Sequence, residues 1–373
     1  MVHRLVIFIA LWLQTGCMQN DSSLRDKLIH QVEKNAQLHG IPSQAVLVND
    51  NGDITFKYAF EASKSRVGST LNEHSVFPIF SVSKLFATVL VFQLVEKKQL
   101  SLDEPIGKYV QLPRQWLNIP ISALLNHTSG IPEYFLVINQ QVSAPQSFEH
   151  VIKALGEKEP VFEFNTQVQY TQINYLLIGA LLESVTGQSY ESLVQERLLT
   201  PLMMSNTYLK AVQLPRGVVP SYLPNSGDKI KPNKYVFPSY GTAHTGIYST
   251  AYDLNLFLSS LMEGKLVDKA ILIKLWRPQK LLNGQANFFV SGWDYEKEGD
   301  WHSVGHDGGA LLRVSAFFNA EFSDYMVVIY LTNGNLDGVW SRSLVKSLQQ
   351  YWITNPFSRL LVWAGLYESF KSI

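Results

Sequence analysis

The chain has 373 residues, 31 basic and 31 acidic side chains, and hence a formal charge of zero. Apolar residues make up 46% of it, enough to bury a sizeable core as one large domain or two closely packed lobes. The balanced charge, without a basic run, argues against nucleic acid as the main partner. A single cysteine excludes an internal disulfide.

The elements follow in chain order. His3 and Arg4 precede the apolar run Leu5–Leu13, which is too short to span a bilayer and fits the core of a secretory signal. Cys17 follows at once, and a polar stretch, Gln19 to Ser23, comes next. Leu24–Leu38 has helical spacing. Ala45–Ala59 reads as two strands around an Asn51-Gly52 turn. Ser81 to Glu96 reads as a buried helix, with Leu85, Val89, Phe92 and Val95 at helical spacing. Shorter helices are predicted over Ile121–Leu125, Asn174–Val185, Ser189–Leu199 and Thr250–Glu263. Pro215–Gly241 is an irregular excursion rich in Pro, Gly, Tyr and Asn. Strands are predicted over Asn287–Asp294, Leu311–Phe318 and Tyr325–Thr332, and a last helix over Leu344–Trp352. Strands, then helices, then strands imply an α+β fold. In it an antiparallel sheet from both chain ends is flanked by helices and carries an inserted, mostly helical lobe. The cleft between the lobes is where a site is expected.

The most informative short pattern is Phe80-Ser81-Val82-Ser83-Lys84. It places a hydroxyl at a helix start and an amine one turn later on the same face. Serine is a poor nucleophile without an adjacent base, and Lys84 can be that base. A bare S-x-x-K is more often a capping serine with a solvated lysine. Ser226–Lys229 and Ser343–Lys346 also fit the pattern, so its surroundings must decide. Two later segments fall in a telling order: Tyr170-Thr171-Gln172-Ile173-Asn174-Tyr175 opens a helix, and Gly305-His306-Asp307-Gly308-Gly309 leads into a strand.

This order resembles the serine β-lactamase and penicillin-binding-protein superfamily, and its class C branch in particular, which also holds esterases, D,D-peptidases and LACTB-like proteases. Leu124-Leu-Asn-His-Thr-Ser-Gly-Ile-Pro132, Leu102-Asp-Glu-Pro-Ile106, Gly246–Leu254 and Ser291-Gly-Trp293 match further stretches of that branch. The resemblance spans roughly Leu24 to Gln350. It implies that Ser81 is the acylated nucleophile, that Lys84 accepts its proton, and that Tyr170 shuttles a proton toward the leaving group. As a base, Lys84 must be neutral. His306 stands where the family's K-T-G lysine would lie. The N–H groups of Ser81 and Gly309 would form the oxyanion hole. Gly308 and Gly309 would leave room for close substrate approach, and Gln172, Gly308 and Asn174 would contact substrate. His244-Thr245-Gly246 is a rival H-x-G. His127 orders its own turn. Tyr222, Tyr235, Phe237 and Tyr240 are candidates for a substrate rim.

Two departures concern specificity. Gln172 replaces the asparagine of Y-x-N, and Leu312-Arg313 replaces a small-residue turn. The expected function is a serine hydrolase acting through an acyl-enzyme on a peptide, amide or ester, cell-wall-derived ones included. The competing reading is a noncatalytic envelope binding protein that keeps the fold. No G-x-S-x-G elbow, H-E-x-x-H or cysteine cluster points to another hydrolase class, and no cofactor is called for. The leader resembles a lipoprotein signal, although Gln14 stands where a branched apolar residue is usual. It implies a signal peptide over residues 1–16, a lipidated Cys17 with a tether to residue 23, a hydrolase domain over 24–350 and a tail over 351–373. Membrane association through that lipid, facing the periplasm or the cell exterior, follows from it.

Overall fold

The computed structural model describes residues 23–62, 70–135, 147–156, 158–209, 213–223, 231–232, 238–349 and 351. The expected leader, Cys17, Ser226–Lys229, Tyr235, Phe237 and nearly all of the tail lie outside the described residues. No helix among the described residues is long and apolar enough to cross a membrane.

Helix α1 (Leu24–His39) starts at a capping box. The Ser23 hydroxyl accepts the Asp26 N–H while the Asp26 carboxylate accepts the Ser23 N–H. It stops at Gly40, whose φ of 60° suits the left-handed cap. Strands β1 (Ser43–Asp50) and β2 (Asp53–Glu61) form the hairpin read from the Asn51-Gly52 pair, with φ of 52° and 99° at the turn. After β3 (Phe77–Pro78) come α2 (Ser83–Glu96), α3 (Ile121–Leu125), α4 (Phe148–Leu155), α5 (Ile173–Thr186) and α6 (Tyr190–Val194). A small hairpin, β4 (Tyr222–Leu223) with β5 (Lys231–Pro232), leads to β6 (Tyr248–Ser249), α7 (Ala251–Met262) and α8 (Lys269–Leu275). The chain closes with β7 (Phe289–Val290), β8 (Trp293–Glu298), β9 (Trp301–Gly308), β10 (Leu312–Asn319), β11 (Tyr325–Thr332) and α9 (Ser341–Gln349).

The main sheet has seven antiparallel strands in the order β2-β1-β11-β10-β9-β8-β7. Both chain ends therefore share it, and Leu47 of β1 lies opposite Ile329 of β11. Alternation sends Ala45, Leu47, Val327, Ile329 and Leu331 into the core shared with α2 and α7. Val46, Val48, Phe317, Val328 and Tyr330 face the other way, into a second core with α1 and α9. Helix α2 is buried on every side from Ser83 to Phe92, which is why its apolar residues show no single stripe. Phe86 stacks on Phe257 of α7 at 4.6 Å.

The α+β reading holds, with local differences. The single strand expected over Asn287–Asp294 is a hairpin, broken at Ser291 and Gly292 with φ of 46° and 90°. A Cβ on Gly292 would lie 2.3 Å from the Tyr175 hydroxyl, so only glycine fits that turn. His306 is not in a lead-in loop but on β9, whose polar sequence hid the strand. The short helices α4 and α8 also escaped the periodicity.

Behind the sheet, β8, β9, β10 and α9 are tied by one ion network. Arg313 donates to both Asp294 oxygens at 2.8 and 2.7 Å and to Asp307 at 2.9 Å. Asp307 also accepts from the Ser341 hydroxyl at 2.6 Å and the Trp340 indole at 3.0 Å. Gly305 leaves space for this, because a Cβ there would lie 2.8 Å from an Arg313 nitrogen. Burial would push the Asp294 carboxyl up, but Arg313 and then Arg342 bring it below its ordinary value. Unfolded Asp294 thus takes up a proton before folded Asp294 does. The stability it contributes is intact above the ordinary carboxyl range and is lost as pH falls through the depressed value. Replacing Arg313 with Met, which takes the main cation from the buried Asp294 and leaves it Arg342 alone at 3.1 Å, is expected to cost about 3 kcal/mol in urea unfolding at neutral pH. A loss below about 1 kcal/mol would contradict this role.

Candidate active site

Ser81 lies in a 3₁₀ turn, Phe80–Val82, that runs directly into α2. Phe80 before it has a φ of 48°, a left-handed conformation rare for a bulky residue. Neighbouring backbone holds this turn in place. Phe77 pairs with Ser249, the Ile79 N–H donates to the Ile247 carbonyl at 3.0 Å, and the Ile247 N–H donates to the Ser83 hydroxyl at 3.3 Å. On the other side β9 abuts the turn so closely that a Cβ on Gly308 would lie 2.7 Å from the Ile79 carbonyl oxygen. Gly308 is thus required for packing, a different reason from the substrate clearance expected of it. A Cβ on Gly309 would meet the Phe80 ring at 3.3 Å.

Lys84 is fully buried, and its Nζ has three neighbours. Two are carbonyl oxygens, Gln172 Oε1 at 2.7 Å and the His244 main chain at 2.9 Å; the third is Ser81 Oγ at 3.2 Å. Carbonyls can only accept, so a neutral amine spends both N–H groups on them and aims its lone pair at Ser81. Burial drives the Lys84 pKa well below its ordinary value, and only the Glu133 carboxylate opposes that shift. Glu133 is itself half-enclosed, accepts the Gln172 N–H at 2.7 Å and has its pKa raised by burial.

Tyr170 stands over the same pair. Its ring lies 5.0 Å from Lys84 Nζ, and 38% of the residue is exposed. Burial raises its pKa, while the Ser81 and Gln172 side chains favour the phenolate. Gln172 thus lies between the amine and the phenol. The ring of His306 is 6.0 Å from that of Tyr170. His306 Nδ1 donates to the Asp307 carbonyl at 2.7 Å, so its proton sits on Nδ1 in the neutral ring. Its Nε2 is buried without a hydrogen-bond partner among the described residues. Burial, with Lys84 adding to it, holds the imidazole pKa below its ordinary value.

Ser81, Tyr170, His306, Gly308 and Gly309 line one cavity of about 320 Å³. Phe288, Phe289 and Trp340 form its apolar walls, and Asp294, Asp307 and Arg342 complete the lining. The wall aromatics were not found from sequence. They come from the β7 turn and the start of α9, where nothing local distinguishes them from ordinary surface residues. Of the expected rim, Tyr222 and Tyr240 are not part of the lining. Arg313 points behind β9 into the ion network and is not at the substrate, contrary to the expectation from its departure. Asn174 is also placed elsewhere than expected. It is fully buried, accepting from the Ser129 hydroxyl at 2.6 Å and lying 3.2 Å from His127 Nδ1, so its amide is not available to a substrate. His244 enters the site through its carbonyl, while its ring is buried against the Tyr134 hydroxyl at 2.8 Å. Ser343 and Lys346 lie exposed on α9, as a solvated S-x-x-K should.

A family model described as Beta-lactamase matches residues 27–340. Penicillin-binding protein 4* of Bacillus subtilis is 23% identical over 330 residues, covering 84% of this chain and 72% of that protein. The octameric penicillin-binding protein homologue from Pyrococcus abyssi shares the fold, with a TM-score of 0.69, 23% identity, and coverage of 87% of this chain and 76% of that one. So does the D-amino acid amidase from Ochrobactrum anthropi SV3, with a TM-score of 0.70, 20% identity, and coverage of 88% and 98%.

The position of Glu133 yields a pH prediction. Were Lys84 to act as the base toward Ser81, the rate would rise with pH through the Lys84 pKa, which the Glu133 charge holds up. Replacing Glu133 with Gln is expected to move that limb of the pH–rate profile to lower pH by about one unit. A limb that stays in place or moves to higher pH would contradict the coupling.

Proposed function

The chain belongs to the Beta-lactamase family of serine hydrolases, and from that premise we propose that it forms an acyl-enzyme at Ser81 with small amides or esters. The observation that carries this reading is the placement of Lys84 Nζ, held by two carbonyl acceptors and 3.2 Å from Ser81 Oγ, so that a neutral amine there would turn its lone pair to the hydroxyl. Ser81 attacks the substrate carbonyl carbon and passes its proton to Lys84. The oxyanion sits on the Ser81 and Gly309 N–H groups, the first of them at a helix start where no intrahelical acceptor competes. Tyr170 relays the proton to the leaving group as the carbonyl–heteroatom bond breaks. Water then releases the acyl group by the reverse route.

The site favours substrates without a carboxylate beside the scissile bond. Where a cationic lysine would anchor such a group, the neutral His306 ring offers an unpaired Nε2 acceptor, and the Arg342 guanidinium in the lining is already paired with Asp294 and Glu296. That atom suits a substrate N–H or hydroxyl. The aromatic walls suit an apolar acyl group, and 320 Å³ is at the small end of ligand cavities, about 300–1,000 Å³. The D-amino acid amidase of the same fold is consistent with an amide of this size. We assign the enzyme to the class C-like, esterase and peptidase side of the family, and to the cell envelope. The envelope assignment rests on the leader and Cys17 together with the penicillin-binding relatives.

Intact-mass analysis after treatment with a fluorophosphonate tests the nucleophile. The wild type is expected to gain one adduct and Ser81→Ala none. An adduct that persists in Ser81→Ala would contradict Ser81 as the nucleophile, and an inert wild type would favour the noncatalytic binding protein. For specificity, phenylalanine amide is expected to be turned over at least about tenfold faster than a matched dipeptide with a free carboxylate, a difference of about 1.4 kcal/mol. The opposite order would contradict the role given to neutral His306.

A further inference from the structure

We propose that His127 is a positioning residue for Tyr170, holding the phenol over Ser81 by gripping the backbone on both sides of it. This inference rests on the hydrolase reading above. The His127 carbonyl accepts the Gln169 N–H at 2.8 Å, and its Nδ1 accepts the Thr171 N–H at 3.3 Å. The residue between those two amides is Tyr170. The imidazole also packs against the phenol ring at a tilt of 39°, with centroids 4.3 Å apart. One side chain thus sets both the height of the Tyr170 backbone and the tilt of its ring.

The polarity of this clamp is determined. A backbone N–H can only donate, so His127 Nδ1 must carry a lone pair and the ring proton must be on Nε2. Asn174 agrees. Its oxygen takes the Ser129 hydroxyl at 2.6 Å, which turns its NH₂ toward Nδ1 at 3.2 Å. Nε2 has no hydrogen-bond partner among the described residues, although the ring is fully buried. Such a buried donor is a cost that turn-ordering alone does not require. His127 also adopts a φ of 55°, a strained conformation that brings carbonyl and ring to bear on the same segment. His127 makes no part of the cavity lining, so it acts through Tyr170 and not on the substrate.

The test compares wild type, His127→Phe, Tyr170→Phe and the double variant in stopped-flow acylation by p-nitrophenyl acetate. Phenylalanine keeps an aromatic ring packed on the phenol and removes the Nδ1 acceptor. His127→Phe is expected to slow acylation about 100-fold, the scale of a 1 Å misplacement, with KM changed by less than about threefold. Because the effect passes through the phenol, the double variant is expected to be within about twofold of Tyr170→Phe alone. Losses that multiply in the double variant, or a His127→Phe enzyme as fast as wild type, would overturn the role. Should His127→Phe fail to fold by circular dichroism, Asn174→Asp carries the same expectation. A carboxylate facing Nδ1 moves the ring proton there and releases Thr171. A wild type that is not acylated at Ser81 would overturn the hydrolase reading and this inference with it. Acylation with multiplying losses would remove His127 alone.

Discussion

A lysine amine enclosed by protein is the constraint on which this site depends. Burial disfavours the ammonium form and lowers the Lys84 pKa, against the opposing pull of the Glu133 carboxylate. Two carbonyls then orient the amine, one from the Gln172 side chain and one from the His244 main chain. The segment that supplies the second also pairs with the strand leading to Ser81, through Ile247 and Ser249. Nucleophile and base are therefore braced by the same backbone segment, with the Gln172 side chain as the second anchor of the amine that lies 3.2 Å from Ser81 Oγ.

The far end of the site is fixed from behind the sheet. The Asp307 side chain belongs to the Arg313 network and reaches Ser341 and Trp340 at the start of α9. Its carbonyl, on the same residue, accepts the His306 Nδ1 proton. A buried ion cluster with a mechanical role thereby sets the tautomer of a ring in the cavity. The polarity runs from Arg313 through Asp307 to His306, and leaves the buried Nε2 as an acceptor. The resemblance that placed His306 at a lysine's position did not carry this consequence, since imidazole could equally have been a cation.

Much of the fold was legible because alternation and helical spacing are strong in the elements that build the core. The β1–β2 hairpin, α2, α3, α5, β10 and β11 all announced themselves by apolar period and turn residues. β9 did not, because His302, Ser303, His306 and Asp307 give it the look of a loop. Its burial comes from neighbours distant in sequence. The residues of the site were legible as a set only through motif order, since each alone has a bland reading. What sequence could not reveal was direction. Asn174 and Gln172 are two positions apart on one helix start, and their phase sends Gln172 to Lys84 and Asn174 into the buried His127 cluster. Arg313 looked like a change beside the substrate, but strand alternation turns it to the opposite face of the sheet.

The proposed chemistry depends on the protonation of one nitrogen, Lys84 Nζ. An NMR titration of the protein labelled with ¹³C at lysine Cε would follow Lys84 directly, with Lys84→Arg identifying its resonance. The account predicts that Lys84 is already neutral at neutral pH while the other lysines remain charged. A Lys84 signal that stays in its charged position until the alkaline range of ordinary lysines, about pH 10, would contradict it.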